Sequence, residues 1–453
     1  MTPRREIARI AVPVSLEFVI MLGMNFINQI IVGGLGAVAI AAVGFANSLG
    51  FILFVTVGAL GASTAILAAR AFGSGRQGDM NATVSTAISL AIAIAAPFAI
   101  AGFLWTTQAL ILTGASAEVA AEGSSYFRLS LVALIPGIIA AVLSGVMRST
   151  GFAKVPMYVT AVTVILDSLI AFSLVYGIGP LPRLGVMGAG VAVLTANVLK
   201  LAVLGYLAYG RLDLVSWHMP RHQHAVRTIV KPLIILAIPL GITELFWTLG
   251  IFLYNVIFQR LGTDSLAAAQ IVATLEGIFI VGSIGLMSAA TALIGKSLGE
   301  GDALAARAWI RRISKAGVAT GLAFGLLYAL SALAVPFLFT EVSSEVIRIA
   351  AIGIVINGII QAIKVRNMIV GAGVLPSGND VRGVIFGDVF STFVVGLPLA
   401  LFLGLSTPLL AIGIFLARVV EELVKLGIFA WRQSRVNWEA LAAEHGATAA
   451  RAS

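Results

Sequence analysis

The chain has 453 residues, 59% of them hydrophobic and only 11% charged, with no cysteine and a net charge of +9. Soluble domains carry roughly 25% charged residues, so a mean hydropathy of +1.04 excludes an ordinary water-soluble enzyme, and the missing cysteines exclude a disulfide framework. The positive charge alone would suit nucleic acid, but its distribution along the chain excludes that as well.

Apolar runs of the length an α-helical span needs occur near 7–33, 41–70, 83–105, 122–147, 155–177 and 187–210. A second set follows near 233–259, 265–295, 317–339, 347–369, 383–404 and 409–431. They predict an all-α integral membrane protein of twelve transmembrane helices. The basic start runs into an apolar stretch, as in a signal peptide. Glu17, Asn25, Asn28 and Gln29 interrupt that stretch, however, and eleven more spans follow, so it is read as the first span. Of 29 cations, 22 fall on one side, from Arg4, Arg5 and Arg9 through Arg148, Lys296, Lys364 and Arg366 to Arg432 and Arg435. The other side has only Arg128, Arg183, Arg260 and Arg348, while Lys200, Arg418 and Lys425 lie inside spans. This asymmetry is the positive-inside pattern, and it predicts a multi-pass protein of a prokaryotic-type inner membrane with both termini cytoplasmic. The basic balance is then orientation and lipid contact, not nucleic-acid binding.

A duplication organises the spans. At an offset of 226 positions about sixty residues align without a gap: Pro13 with Pro239, Leu35-Gly36 with Leu261-Gly262, and Ala41-Ala42 with Ala267-Ala268. Arg70, Gly73 and Gly75 meet Lys296, Gly299 and Gly301. Six spans per half is an even number, so the halves insert the same way up, as parallel repeats of a transporter do. The expected organisation is a six-helix lobe over 1–210, an inter-lobe loop over 211–231, a second lobe over 232–432 and a tail over 433–453. The loop carries His218, His222 and His224, three of the four histidines. It reads as a solvated linker more readily than as a metal site, and no metal or resident cofactor is expected.

With the repeat on the page the chain resembles the multidrug and toxic compound extrusion (MATE) family, nearer its DinF-like than its NorM-like branch. The resemblance is carried by Pro13-Val-Ser-Leu-Glu17, by Asn28 to Gly36, and by Gly73-Ser-Gly75 with its twin Gly299-Glu-Gly-Asp302. Met147-Arg148-Ser-Thr-Gly151 leading to Asp167, Pro239 to Glu244, and Ala269-Gln270-Ile271 to Glu276-Gly277 continue it. It implies twelve helices in two lobes around a central cavity. It also implies export of organic cations or other amphipathic compounds, driven by an inward gradient of H⁺ or Na⁺. Asn28 departs from the aspartate that many such members carry in span one, which bears on any coupling scheme needing two aspartates in the first lobe.

Intramembrane acids cost on the order of 3 kcal/mol on insertion scales and are functional candidates by default. At 1.5 Å per residue Asp167, the sole acid of its span, lies roughly 20 Å above Lys154. It is the first candidate for proton or ion coupling; the alternative is an aspartate satisfied by Ser168, Thr163 or Asn197 for packing alone. Asn28 falls at a similar height and is expected to face Asp167, either as an ion ligand or as interhelical glue. Glu17, about 12 Å above Arg9, is either cavity wall or a carboxylate turned to the inner interface. In the second lobe Glu244 and Glu276 fall near mid-depth, where two acids would attract a cationic substrate and titrate together. Trp247 and Met287 are candidate apolar lining, set against plain core or lipid contact. Asp388 is the approximate repeat partner of Asp167, but it lies about 9 Å from Arg382, so a headgroup contact competes. Arg418, Glu421, Glu422 and Lys425 read as an intrahelical ion-pair ladder, and Lys200 as a snorkelling side chain.

Gly295-Lys296-Ser297 lacks the first glycine of a phosphate loop, since position 290 is Ala290, and it closes a span, not a strand. The expected function is therefore a monomeric cation-coupled antiporter and not an enzyme. The competing cargo is a lipid-linked or amphipathic lipid substrate, which mid-depth acids disfavour.

Overall fold

The computed structural model describes residues 2–112, 116–218, 229–339 and 342–450, and every regular element among them is helical. The first half holds α1 (Pro3–Gly33), α2 (Ala37–Gly73), α3 (Gln77–Leu104), α4 (Ala117–Ser149), α5 (Lys154–Tyr176) and α6 (Val186–Gly205), the last continued by a π turn, Tyr206–Arg211. The second half begins with α7 (Lys231–Arg260), α8 (Thr263–Phe279), α9 (Val281–Gly299), α10 (Ala303–Ser331) and α11 (Ser344–Ile369). It ends with α12 (Val381–Val389), α13 (Leu397–Leu405), α14 (Leu410–Arg435) and α15 (Trp438–Ala450). Among the described residues ten helical segments are long and apolar enough to cross a membrane. α14 is not among them, because Arg418, Glu421, Glu422 and Lys425 interrupt its apolar run.

Each predicted span has its helix, and four are interrupted. The span at 187–210 ends in the π turn Tyr206–Arg211, and the span at 317–339 passes through a 3-10 turn, Ala332–Ala334. Two more breaks bear on the site. The span at 265–295 is split at Ile280 between α8 and α9. Gly277 and Gly282 flank the break, and the Ser283 hydroxyl donates to the Ile280 carbonyl, the kind of local bond that bends a helix. The span at 383–404 passes through a π turn, Phe390–Gly396, between α12 and α13. Such wide turns aim side chains off the regular helical face, and this one carries Thr392.

The repeat is visible in the backbone. Gly36 and Gly262, 226 positions apart, have φ of 107° and 115°, and Gly75 and Gly301, again 226 apart, have φ of 68° and 77°. L side chains avoid this region, so glycine punctuates both halves at matching corners.

Two compact units divide the chain: Leu16–Gly241, and Met1–Ser15 together with Ile242–Ser453. The switch points lie inside α1 and α7, two residues past Pro13 and Pro239, and are themselves 226 positions apart. They do not coincide with the 211–231 loop. Within the first unit α2 packs on α4, and α4 and α5 on α6, around Val43, Phe127, Leu131 and Val175. Within the second, α10 and α14 pack on α11, around Tyr254, Tyr328, Ile354 and Phe415. Lipid tails are as apolar as leucine, so close backbone approach matters more here than in water. At Gly325 of α10 any side chain would collide with the Gly358 carbonyl of α11.

Candidate functional site

Seven carboxylates lie well inside the spans read from the sequence: Glu17, Asp167, Glu244, Glu276, Asp388, Glu421 and Glu422. Five of them have a cation within 4.0 Å. Asp167 and Glu244 have none among the described residues.

Asp167 sits on α5, 1% exposed. As its height predicts, it meets Asn28 of α1: the Asn28 amide Nδ2 donates to Asp167 Oδ2 at 2.8 Å. The remaining oxygens, Asn28 Oδ1 and Asp167 Oδ1, are buried and without a hydrogen-bond partner, as is the neighbouring Ser168 hydroxyl. Thr163 and Asn197 do not join them. The Thr163 hydroxyl donates to its own helix, to the carbonyls of Val159 at 3.0 Å and Thr160 at 3.1 Å. The Asn197 amide donates to the Val193 carbonyl of α6 at 2.9 Å. The packing alternative, an aspartate satisfied by these neighbours, therefore lacks its hydrogen bonds. Two buried acceptor oxygens on facing helices are thus left with no donor.

Glu17 is buried, 2% exposed, but its needs are met. Arg148 Nη1 lies 3.2 Å from it, the Thr160 hydroxyl donates at 3.1 Å, and Lys200 Nζ is 4.0 Å away. Lys200 reaches a carboxylate inside the protein, where the sequence suggested snorkelling.

The second half compensates its acids further. Glu276 at the end of α8 is paired with Lys364 Nζ of α11 at 2.6 Å, and Lys364 also donates to Asn357 Oδ1. Lys364 is 3% exposed, so it belongs inside α11 and not with the loop cations where the sequence placed it. Asn357, Gln361 and Lys364 follow i, i+4, i+7 spacing on one buried face. Gln361 is fully buried with both amide atoms unpartnered.

Asp388 of α12 is 3.1 Å from Lys425 Nζ of α14, which replaces the Arg382 headgroup contact expected from depth. Lys425 also lies 3.7 Å from Glu421 and 3.9 Å from Glu422. The intrahelical spacing is thus real, but the group is tertiary. The Tyr254 hydroxyl of α7 and the Thr392 hydroxyl of the π turn each donate to Glu421 at 2.6 Å. The Asn367 amide donates to Glu422 Oε2 at 2.8 Å. The Arg418 guanidinium stands 5.4 Å from the Tyr254 ring centroid, a cation–π distance.

Glu244 and Trp247 differ from all of these. Both are exposed on α7, three residues apart and so on one helical face, Trp247 by 52%. Met287 on α9 is half-buried, and its backbone carbonyl accepts from the Thr291 hydroxyl at 3.3 Å. Among the described residues no three histidines or acids group as metal ligands. His222 and His224 lie outside the described residues.

Duplicated sets of spanning helices holding charged and amide groups inside them define the class as a membrane transporter. The MatE family model matches residues 13–173 and 239–402, again starting 226 positions apart. That is more than two thirds of the chain, which belongs to this family and is a transporter, not an enzyme. Similar curated proteins include "Probable multidrug resistance protein NorM" of Agrobacterium fabrum, 27% identical over 84% of this chain and 82% of that protein. "Multidrug resistance protein NorM" of Vibrio cholerae is 26% identical over 92% of each. Their names are NorM and not DinF. Among solved structures, an outward-facing multidrug resistance MATE transporter of the MOP superfamily superposes with a TM-score of 0.87 at 20% identity, covering 97% of this chain and 96% of that one. A MOP superfamily transporter from Pyrococcus furiosus, described as having a binding pocket of reverse polarity, gives 0.86 at the same identity and coverage. These likenesses establish the fold as the twelve-helix MATE fold.

Proposed function

We propose that this multi-pass protein is a cation-coupled exporter of organic cations or amphipathic drugs, with both termini on the cytoplasmic side. Asp167 with Asn28 is its coupling group, and the Glu244–Trp247 face of α7 contacts cargo. The observation that carries the reading is the pair of buried, unpartnered oxygens on Asn28 and Asp167. A proton or Na⁺ arriving there satisfies both, and the energy for export comes from its different affinity for two conformations. An exposed carboxylate one helical turn from an exposed indole suits an organic cation, which an aromatic face attracts. The names of the NorM relatives support a drug-exporting role.

The test is export of a fluorescent organic cation from liposomes holding the purified protein, with ΔpH and a Na⁺ gradient imposed separately. Export driven by one gradient and lost in Asp167→Asn is the expected result and names the ion. Export under a gradient that survives Asp167→Asn removes Asp167 from the coupling path. No export under either gradient removes the drug-exporter reading.

A further inference from the structure

Where α10 begins and α11 and α14 end, the second unit has an open cleft of about 750 Å³, a volume within the ~300–1,000 Å³ of small-molecule sites. Arg311 and Lys315 line it from α10, Arg366 from α11 and Trp438 from α15, together with Ser314 and Ser434. Arg311 and Lys315 are four residues apart, an arrangement in which like charges on a helix repel. Arg366 adds a third cation from the facing helix. Among the described residues no acidic side chain lines the cleft, and of the four cations lining it Arg307 alone has an acidic partner, Glu439 at 2.7 Å. By contrast, the cations buried deeper in this unit, Lys364 and Lys425, are each matched by carboxylates.

Three uncompensated cations converging from two helices call for an anion, and guanidinium pairs match the oxygens of a phosphate group. The cleft lies at the ends of spans on the side where the chain collects its cations. Trp438, 4% exposed, brings an indole there, a residue type enriched at membrane–water boundaries. Basic pockets between spanning helices on that side take up anionic lipid headgroups. We infer that this cleft is a binding site for a phosphate-bearing anion, either the headgroup of an anionic phospholipid or a soluble phosphate compound. The inference does not depend on which ion or cargo is transported.

The full-length protein would be delipidated and titrated in nanodiscs with phosphatidylglycerol against phosphatidylcholine, reading bound lipid by native mass spectrometry. A parallel arm adds inorganic phosphate, against chloride at equal ionic strength, to protein in neutral detergent and reads thermal unfolding. Removing the three cations as Arg311→Gln, Lys315→Gln and Arg366→Gln should weaken the preferred anion about fivefold each. Arg312→Gln on the same helix, whose guanidinium lies over Trp309 outside the cleft, should leave binding unchanged. Phosphatidylglycerol preference lost in the triple variant assigns the site to lipid. Phosphate stabilisation lost in the triple variant, with no lipid preference, assigns it to a soluble phosphate. Equal binding of both lipids and no phosphate effect, full binding in the triple variant, or an equal loss in Arg312→Gln overturns the proposal.

Discussion

Asp167 in one unit and Glu276 in the other are both carboxylates carried into apolar helices, and the protein provides for them in opposite ways. Asp167 has a neutral amide for a partner and one oxygen with none. Glu276 has its own ammonium in Lys364, as Asp388, Glu421 and Glu422 have Lys425, and hydroxyls from Tyr254 and Thr392 meet Glu421. Asp167 and Glu421 are both buried, so burial alone does not tell the two provisions apart. What sets Asp167 apart is unmet hydrogen-bonding and charge capacity. A carboxylate already matched by an internal cation has little left to offer an arriving one.

Lys425→Met breaks this comparison most severely, because it leaves Asp388, Glu421 and Glu422 without their shared cation. A loss of about 3–5 kcal/mol is expected, read as a large drop in thermal unfolding temperature in detergent; near wild-type stability would mean the acids do not depend on Lys425. Lys364→Met should cost a similar or smaller amount, since one acid is exposed to the loss. Adding Glu276→Gln to it should recover most of the stability, and a double variant no better than the single would show that the two charges do not compensate each other. Asp167→Asn should do the reverse, changing stability by about 1 kcal/mol or less while abolishing gradient-driven export. The smallest effect is expected of Thr163→Val, whose hydroxyl bonds only its own helix. Export should be unaltered, and its loss would return Thr163 to the coupling group.

The spans, the duplication and the approach of Asn28 to Asp167 were legible because they depend on composition, fixed offsets and rise along a helix. Partners across helices were not. Lys364 stands two residues before Arg366 at the end of an apolar run, and by sequence alone it joins the loop cations; only the packing of α11 turns it inward. Asp388 is close in sequence to Arg382, whereas its partner Lys425 arrives on α14. Thr163 and Asn197 are polar groups at the right height, yet a threonine or asparagine in a helix can satisfy itself on the preceding turn. The contribution of Thr392 depends on a π turn that no hydrophobic period announces. The alternation of glycines and cations was enough for the architecture, and the charge pairing inside the second unit had to come from three dimensions.

The switch of unit inside α1 and α7 bears on how the protein is made. A gene cut within 211–231 would separate two fragments of six spans each, but neither would encode a whole unit. The first would carry residues 1–15 away from their partners beyond Ile242, and the second would carry Lys231–Gly241 away from the unit they complete. On the ribosome the opening residues of α1 emerge before any of the helices they pack with exist. The duplicated halves repeat one sequence pattern, yet neither half by itself is one of the two compact units.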